Sequence, residues 1–398
     1  MGSTRLWAMA AATVLLGAGT AARAQDPASM GPLATTEWNA GGVSAGGATI
    51  PTVVVYPTSG GPYPVVGVFH GFNGEGSDHV VLARTLASYG MVVLRPDMPC
   101  RLSGGCNHDA NATMISALLE WAVERSADGS SMIAGKVDGS HRGLVGHSFG
   151  ALNSHIAASR DSAIDSVVLL DPNDDTGTPG LDASSGVTAP TAQLLAQVPG
   201  SCNGAWSESA ITPMLPAPKL QLTVAGSGHC DPADGADAIC AFACGSGDAS
   251  TNPIFRRYAV AWTACILLAD AAMAPWLGGA MMSSDESGGT VTGVVREGLD
   301  ALPCRSGVPL PDAGPGTLDA GSPARDAGGV ATDAGGSPGL DGGSPGRDGG
   351  PVAQPDAGGG TEAGGCGCRA AGLGGTPAPL ASLALALLAR ARRRRGAA

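Results

Sequence analysis

One short stretch of the sequence has the residue types of a nucleophilic active site: Gly146-His147-Ser148-Phe149-Gly150. It follows a predicted strand at residues 142–146 and opens a predicted helix at 151–158. In this context, G-x-S-x-G places a serine on a sharp strand-to-helix turn above the edge of a sheet. We therefore predict that Ser148 is a nucleophile, and that the amides at the start of the helix favour developing negative charge.

A serine nucleophile needs a base that takes its proton and a carboxylate that orients this base. For a serine on such a turn, the acid and then the histidine follow along the chain, each at the carboxyl end of a strand. Of the seven histidines, only His155 and His229 follow Ser148. His155 would lie inside the helix after the serine as a packed or surface residue, whereas His229 follows the predicted strand 219–224. The sequence therefore predicts His229 as the general base.

The predicted acid is Asp171, which directly follows the apolar run 166–170 and precedes Pro172. The next predicted strand, 191–196, leads into residues 197–203, which contain no carboxylate. Asp174 and Asp175 are the alternative acids. A further alternative is that all three carboxylates only solvate a loop.

The oxyanion of an acyl-transfer intermediate must be met by two backbone amides. The sequence predicts the amide of Phe149, which follows the nucleophile, and the amide of Phe72. Phe72 comes after His70-Gly71, a predicted tight turn at the end of the strand 64–69. We expect His70 to hold this loop by hydrogen bonds rather than to take part in catalysis.

The elements that would position these residues lie between about residue 50 and residue 274, where short apolar runs alternate with helical patterns, ending in a predicted helix at 254–273. Apolar strands without polar alternation, separated by helices, predict a mostly parallel sheet with helices on both faces, an α/β fold. Residues 171–190 are rich in Asp, Gly, Thr and Pro and lack helical periodicity, so no large lid domain is expected.

These motifs resemble the α/β-hydrolases grouped around chlorophyllases, platelet-activating-factor acetylhydrolases and bacterial cutinase-like polyester hydrolases. The resemblance rests on His70-Gly71-Phe72, Gly146–Gly150, Leu170-Asp171-Pro172 and Gly228-His229-Cys230. It implies the α/β-hydrolase fold and hydrolysis of carboxylic esters through an acyl-serine intermediate, with no cofactor and no metal. The Leu-Asp-Pro segment is similar to the first two families. Polyester hydrolases carry their acid one strand later, where this chain has Ser201-Cys202-Asn203.

The alternative functions are a serine peptidase of the same fold and a non-catalytic surface binding module on a hydrolase scaffold. The expected partner is a small-molecule or polymeric ester, and the catalytic domain is expected to be a monomer. The 34 acidic and 22 basic residues give a formal net charge of −12. Because phosphate binding needs a clustered basic face, this balance argues against a nucleic-acid partner.

The two ends of the chain predict export. Residues 1–24 combine a basic start, an apolar stretch and Ala22-Arg23-Ala24, which is typical of a signal peptide. Residues 25–307 are the predicted hydrolase domain. Residues 308–365, in which Asp recurs every seven or eight residues, predict a disordered spacer.

Residues 366–398 join Cys366-Gly367-Cys368, an apolar segment and an arginine cluster. They resemble the C-terminal sorting signals of myxobacterial exported proteins. This resemblance implies a sorting peptidase and delivery to the cell surface, the outer membrane or the medium, with membrane contact only through this tail. The alternative is a plain single-span anchor.

The ten cysteines fit an exported protein, because disulfides persist in oxidising compartments. Cys100 and Cys106 flank a short loop and are predicted to pair. Cys202 and Cys230 lie in two loops that converge on the predicted site, so we expect a second bridge between them. Apart from Cys366 and Cys368 of the tail, four cysteines remain, and they allow three connectivities: Cys240, Cys244, Cys265 and Cys304.

Overall fold

The computed structural model describes residues 25–306, apart from residues 176, 199–201, 203–209, 236–237 and 246. The predicted signal peptide (1–24), spacer (308–365) and sorting tail (366–398) therefore lie outside the described residues.

Among the described residues, nine strands form one sheet in the spatial order β1-β2-β4-β3-β7-β8-β9-β10-β11, and β5 and β6 form a separate small hairpin. The six strands from β4 to β10 in this order pair in parallel, as predicted. The strands are β1 Thr35–Ala45, β2 Ala48–Pro57, β3 Tyr63–Phe69, β4 Val92–Pro96, β5 Cys100–Arg101, β6 Gly105–Cys106, β7 Val137–His147, β8 Ser166–Leu170, β9 Thr191–Ala196, β10 Lys219–Val224 and β11 Val291–Glu297.

Antiparallel strands flank the parallel part: β1 and β2 at one side and β11 at the other. Neither β1 nor β11 is predicted from the sequence. Both are largely exposed or half-buried along their length, so they lack the continuous apolar run that identifies the central strands. The turn Gly46-Gly47, with φ of 57° and 83°, joins β1 to β2. Glycine adopts this left-handed backbone without the steric cost of a side chain.

Helices cover both faces of the sheet, as predicted. Val167 and Leu169 of β8 pack with α2 and α3, whereas Val168 and Leu170 pack with α1 and α6. This division follows from the alternation of side chains along a strand. The helices are α1 Val80–Ser88, α2 His108–Ala127, α3 Phe149–Arg160, α4 Pro179–Ala183, α5 Ala238–Cys244, α6 Asn252–Leu267, α7 Ala280–Ser287 and α8 Pro303–Ser306.

The helix predicted at residues 254–273 is shorter than expected, because α6 ends at Leu267. Ala269 follows with a φ of 50°, which an α-helix cannot contain. The side chain of Asp270 then accepts a hydrogen bond from the amide of Ala272 and begins a 3₁₀ turn, Ala271–Trp276.

The connection between β8 and β9 confirms the absence of a large lid domain within the described residues. It contains only the five-residue helix α4 and the 3₁₀ turn Ser184–Gly186, and both pack against α3. In the part of the chain that the structure describes, no helix combines the length and the apolar character needed to cross a membrane.

Four disulfides link the described cysteines: Cys100–Cys106, Cys202–Cys244, Cys230–Cys240 and Cys265–Cys304. The first was predicted. The last ties α6 to α8 at the end of the described chain, where Cys265 and Cys304 are both buried.

We predict that Cys265→Ala/Cys304→Ala lowers the free energy of unfolding by about 4 kcal/mol, because this bridge closes a long loop and restricts the unfolded chain. The two cysteines are 39 positions apart. Cys100→Ala/Cys106→Ala is the control, since its partners are 6 positions apart and the same reasoning gives about 2 kcal/mol. Denaturant unfolding followed by circular dichroism measures both. Equal losses would contradict the loop-closure explanation.

Candidate active site

Ser148 stands at a strained turn between β7 and α3. Its backbone has φ 55° and ψ −124°, a conformation that costs a non-glycine residue of order 1–3 kcal/mol. The neighbouring backbone comes so close that a Cβ on Gly146 would lie 2.3 Å from the carbonyl oxygen of Gly150. A Cβ on Gly150 would lie 2.4 Å from the carbonyl oxygen of Phe69. Both positions of the motif therefore need glycine, because the neighbouring backbone leaves no room for a side chain.

Three predicted residues form a hydrogen-bonded chain. Ser148 Oγ lies 2.8 Å from His229 Nε2, and His229 Nδ1 lies 2.6 Å from Asp171 Oδ2. Since a carboxylate only accepts, Nδ1 carries the proton and Nε2 is free to accept from the serine hydroxyl. All three side chains are buried, with 6% of Ser148, 2% of His229 and none of Asp171 exposed. Ser148 and His229, which are 81 positions apart along the chain, thus meet in one buried chain of hydrogen bonds.

Asp171 is held by the strand beside it. Its amide donates to the carbonyl oxygen of Leu194 at 2.7 Å, and its Oδ1 accepts from the amide of Ala196 at 2.7 Å. The alternative acids have other contacts. Asp174 accepts hydrogen bonds from the amides at the start of α4, and Asp175 contacts His108. The structure therefore places Asp171, and not its two neighbours, against His229.

Three hydrogen bonds hold the loop that carries His229, two to neighbouring elements and one within the loop. The amide of Val198 donates to the carbonyl oxygen of Ser227 at 2.8 Å, which joins this loop to the one after β9. The amide of Gly228 donates to Asp231 Oδ2 at 2.8 Å. His147 Nε2 donates to the carbonyl oxygen of His229 at 2.6 Å. The residue before the candidate nucleophile thereby positions the backbone of the candidate base.

The loop after β3 lies directly against the nucleophile, since a Cβ on Gly71 would be 2.9 Å from the Cβ of Ser148. His70 holds this loop as expected. Its Nδ1 donates to the carbonyl oxygen of Gly71 at 2.7 Å, and its Nε2 accepts from the amide of Met98 at 2.8 Å. Burial lowers the pKa of His70, which favours the neutral ring that this pair of bonds needs.

The two predicted oxyanion amides belong to Phe149, which follows Ser148, and to Phe72, which follows Gly71 in the loop against Ser148. Phe149 is the first residue of α3, so its amide has no acceptor within the helix. The amide of Phe72 has no hydrogen-bond acceptor among the described residues. The two phenyl rings pack edge to face with centroids 5.9 Å apart. These positions are compatible with a two-amide site for an oxyanion.

The prediction that Cys202 pairs with Cys230 is wrong. Cys202 pairs with Cys244, and Cys230 pairs with Cys240. Both new partners lie on α5, one helical turn apart, so they share the helix face that is turned to the two loops. The sequence pattern leaves the pairing of Cys240 and Cys244 open, together with that of Cys265 and Cys304. A disulfide nevertheless supports the His229 loop, because Cys230 directly follows His229 and is bridged to Cys240.

Two histidines of this region were missed as positioning residues. The rings of His147 and His229 have centroids 5.2 Å apart, and His79 packs edge to face on His147 at 5.8 Å. Burial, with His229 beside it, lowers the pKa of His147 to about 3. Burial also holds the pKa of His79 well below its usual range. The position of His147 in the turn motif, directly before Ser148 at the end of β7, could have indicated this role.

The model of the PET hydrolase-like family, PETase, matches residues 13–230, which include Ser148, Asp171 and His229. The chain is similar to Cutinase 1 of Thermobifida cellulosilytica, with 29% identity over 148 residues, 36% of this chain and 53% of that protein. It is also similar to a cutinase of Thermobifida fusca strain YX, with 29% identity over 148 residues, 36% of this chain and 46% of that protein. The chain thus spans about half the length of the relatives it matches.

We predict that acid destabilises the fold through its buried neutral histidines. Burial lowers the pKa of His155 to about 4. Below pH 6.5 the unfolded state therefore binds a proton that the folded state does not, and stability falls as the pH falls. Each such group contributes a slope of about 1.4 kcal/mol per pH unit.

His155→Leu should reduce this slope by about 1.4 kcal/mol per pH unit between roughly pH 6 and pH 4.5, as measured by urea unfolding at a series of pH values. Ile156→Val is the control on the same helix, because it changes buried volume without changing proton binding. A slope that His155→Leu leaves unchanged would show that His155 is protonated in the folded state.

Proposed function

Because the chain belongs to the PET hydrolase-like family, we propose that it is a serine hydrolase that cleaves carboxylic esters through an acyl-serine intermediate. The observation that carries the proposal is the buried chain of hydrogen bonds from Ser148 through His229 to Asp171. Hydrogen-bonded nucleophile and base, with the base oriented by a third group, are the arrangement that acyl transfer requires.

In the proposed reaction, Ser148 Oγ attacks the ester carbonyl carbon while its proton passes to His229 Nε2. The carbonyl oxygen becomes an oxyanion and accepts hydrogen bonds from the amides of Phe72 and Phe149. The tetrahedral intermediate then breaks its bond to the alcohol oxygen, which leaves with the proton from His229. A water molecule repeats these steps on the acyl-serine, releases the carboxylic acid and restores the serine.

Asp171 has an electrostatic and orienting role in this proposal. Its Oδ2 fixes the Nδ1-protonated form of His229, while the amide of Ala196 stabilises the other carboxylate oxygen. When His229 gains a proton, the buried carboxylate stabilises the imidazolium at short range, where little water screens the interaction. Asp171 stays ionised throughout, as the acid of a serine triad does.

The proposed substrates are small-molecule or polymeric carboxylic esters. The relatives are named cutinases, and among the described residues the short connection between β8 and β9 contains no large lid domain. We also propose that the protein is exported, for which the signal-like residues 1–24 and the four disulfides of the described residues are the support.

Ser148→Ala should reduce the hydrolysis of p-nitrophenyl butyrate by about a million-fold in kcat, since loss of a triad nucleophile removes the covalent route. Ser159→Ala, on the same helix, is the control and should keep full activity. Residual activity within tenfold of the wild type would refute the assignment. Cleavage of a peptide anilide but not of the ester would identify a peptidase. Absence of labelling by a fluorophosphonate would favour a binding module.

Asp171→Asn should lower kcat by about ten-thousand-fold, because an amide at this position favours the wrong tautomer of the histidine. Asp174→Asn is the matched control. It should weaken the hydrogen bonds at the start of α4 and lower thermal stability, while kcat changes little. Steady-state kinetics and thermal unfolding of both variants test this difference. If the Asp174 variant is the inactive one, the acid is misassigned.

A further inference from the structure

Two large apolar side chains have the greatest exposure of their kind among the described residues. Among the described residues, Phe242 is 94% exposed and Leu102 is 73% exposed. Single exposed apolar residues are common and need no explanation. The position of these two is informative, because α5 follows β10 and the β5–β6 hairpin follows β4. Both elements therefore belong to the carboxyl edge of the sheet, where Ser148, Asp171 and His229 lie.

Phe242 is carried by a helix that is fixed to the candidate base. Cys240 and Cys244 bind α5 to the loops of Cys230 and Cys202. The sulfur atoms of Cys202 and Cys244 and a ring nitrogen of His229 all lie within 4.8 Å of one another. Residues i and i+4 share one face of a helix, so the residue midway between them points to the opposite side. With both cysteines facing the site, Phe242 points outward from its rim.

Leu102 is fixed in the same way to the other side of the site. It lies in the turn of the β5–β6 hairpin, in which Cys100 and Cys106 are paired in register and disulfide-bonded. The amide of Asn73, next to Phe72, donates to the carbonyl oxygen of Cys100 at 2.8 Å. The hairpin is thus attached to the loop of the candidate oxyanion site. In the sheet order, β4 and β10 lie on opposite sides of β7, the strand that carries Ser148.

We propose that Phe242 and Leu102 are adsorption anchors that hold the active-site face on the surface of an insoluble, apolar ester. This inference rests on the proposed function and specifies the physical state of the substrate. Two outward-pointing apolar side chains on opposite sides of the nucleophile fit an extended apolar surface, which can contact both while an ester group reaches Ser148. Because disulfides fix both elements beforehand, adsorption requires little loss of conformational freedom.

The anchor on α5 lies beyond residue 230, where the family match ends. The anchors carry no charge. The attachment is therefore apolar, and it should persist at high salt, which screens charge interactions.

The test compares adsorption of full-length variants on suspended polycaprolactone particles, with Ser148→Ala present in each so that the surface is not consumed. Phe242→Ser should lower the partition coefficient about fivefold, the effect expected when a partly buried phenylalanine contact is lost. Leu102→Ser should lower it further in the double variant. Met132→Ser is the matched control: Met132 is 61% exposed but lies between α2 and β7, at the amino edge of the sheet. Sodium chloride at 1 M should leave the partition coefficients unchanged.

A second measurement separates anchoring from catalysis. With Ser148 intact, Phe242→Ser should slow release of soluble products from the particles. It should keep kcat/KM for p-nitrophenyl acetate within about twofold, because a small soluble ester needs no surface contact. Circular dichroism and thiol titration verify that the fold and the disulfides are retained.

Three outcomes would overturn the proposal. In the first, Met132→Ser lowers adsorption as much as Phe242→Ser does. In the second, Phe242→Ser lowers kcat/KM for the soluble ester as much as it slows product release from the particles. In the third, light scattering shows that the protein is a dimer and that Phe242→Ser dissociates it. The last would assign this surface to contacts between copies of the chain. If the wild type hydrolyses no ester, the proposed function fails. The adsorption comparison, made with an inactive nucleophile, still decides the role of the anchors.

Discussion

The site depends on a steric constraint in the backbone around Ser148. A serine with positive φ is unfavourable. It is retained because a Cβ on Gly146 or Gly150 would collide with neighbouring backbone, and a Cβ on Gly71 would collide with the Cβ of Ser148 itself. Such strain persists only where the surrounding structure determines it. Here the surrounding structure is β3, β7 and the first turn of α3. Packing of these three elements therefore sets the position of the hydroxyl, of the Phe149 amide and of the loop that carries Phe72.

The parallel sheet extends this constraint to the acid and the base. The amide of Ser148 donates to the carbonyl oxygen of Leu170, and the amide of Asp171 donates to that of Leu194. Each reactive residue thus continues the hydrogen-bond ladder of its strand onto the next one. The neighbouring ends of β7 and β8 place serine and carboxylate side by side. The loop after β10 then returns over them and inserts His229 between the two side chains.

Local patterns in the sequence predicted the parts that local physics determines. The central strands contain short apolar runs; Ser148 and Asp171 directly follow two of these strands, and His229 lies in the loop after a third. The pairing of Cys202 and Cys230 depends on where α5 folds back, which no local pattern specifies. The end of α6 depends on a positive φ at Ala269, a residue with high helix propensity. The exposed strands β1 and β11 bury too little apolar surface to leave a recognisable run.

Hydrogen bonds and a disulfide already hold the site in place, so the proposed chemistry needs no closing motion. Hydrogen bonds from His147 and to Asp231 hold the His229 loop, and the bridge from Cys230 to Cys240 joins it to α5. Dipoles that are already oriented stabilise a developing charge without reorganisation at the moment of reaction. In the proposed hydrolase, stabilisation of the developing charge therefore does not depend on a cover over the substrate. In the proposed adsorption, binding energy comes instead from the rim, where disulfides fix the elements that carry Phe242 and Leu102.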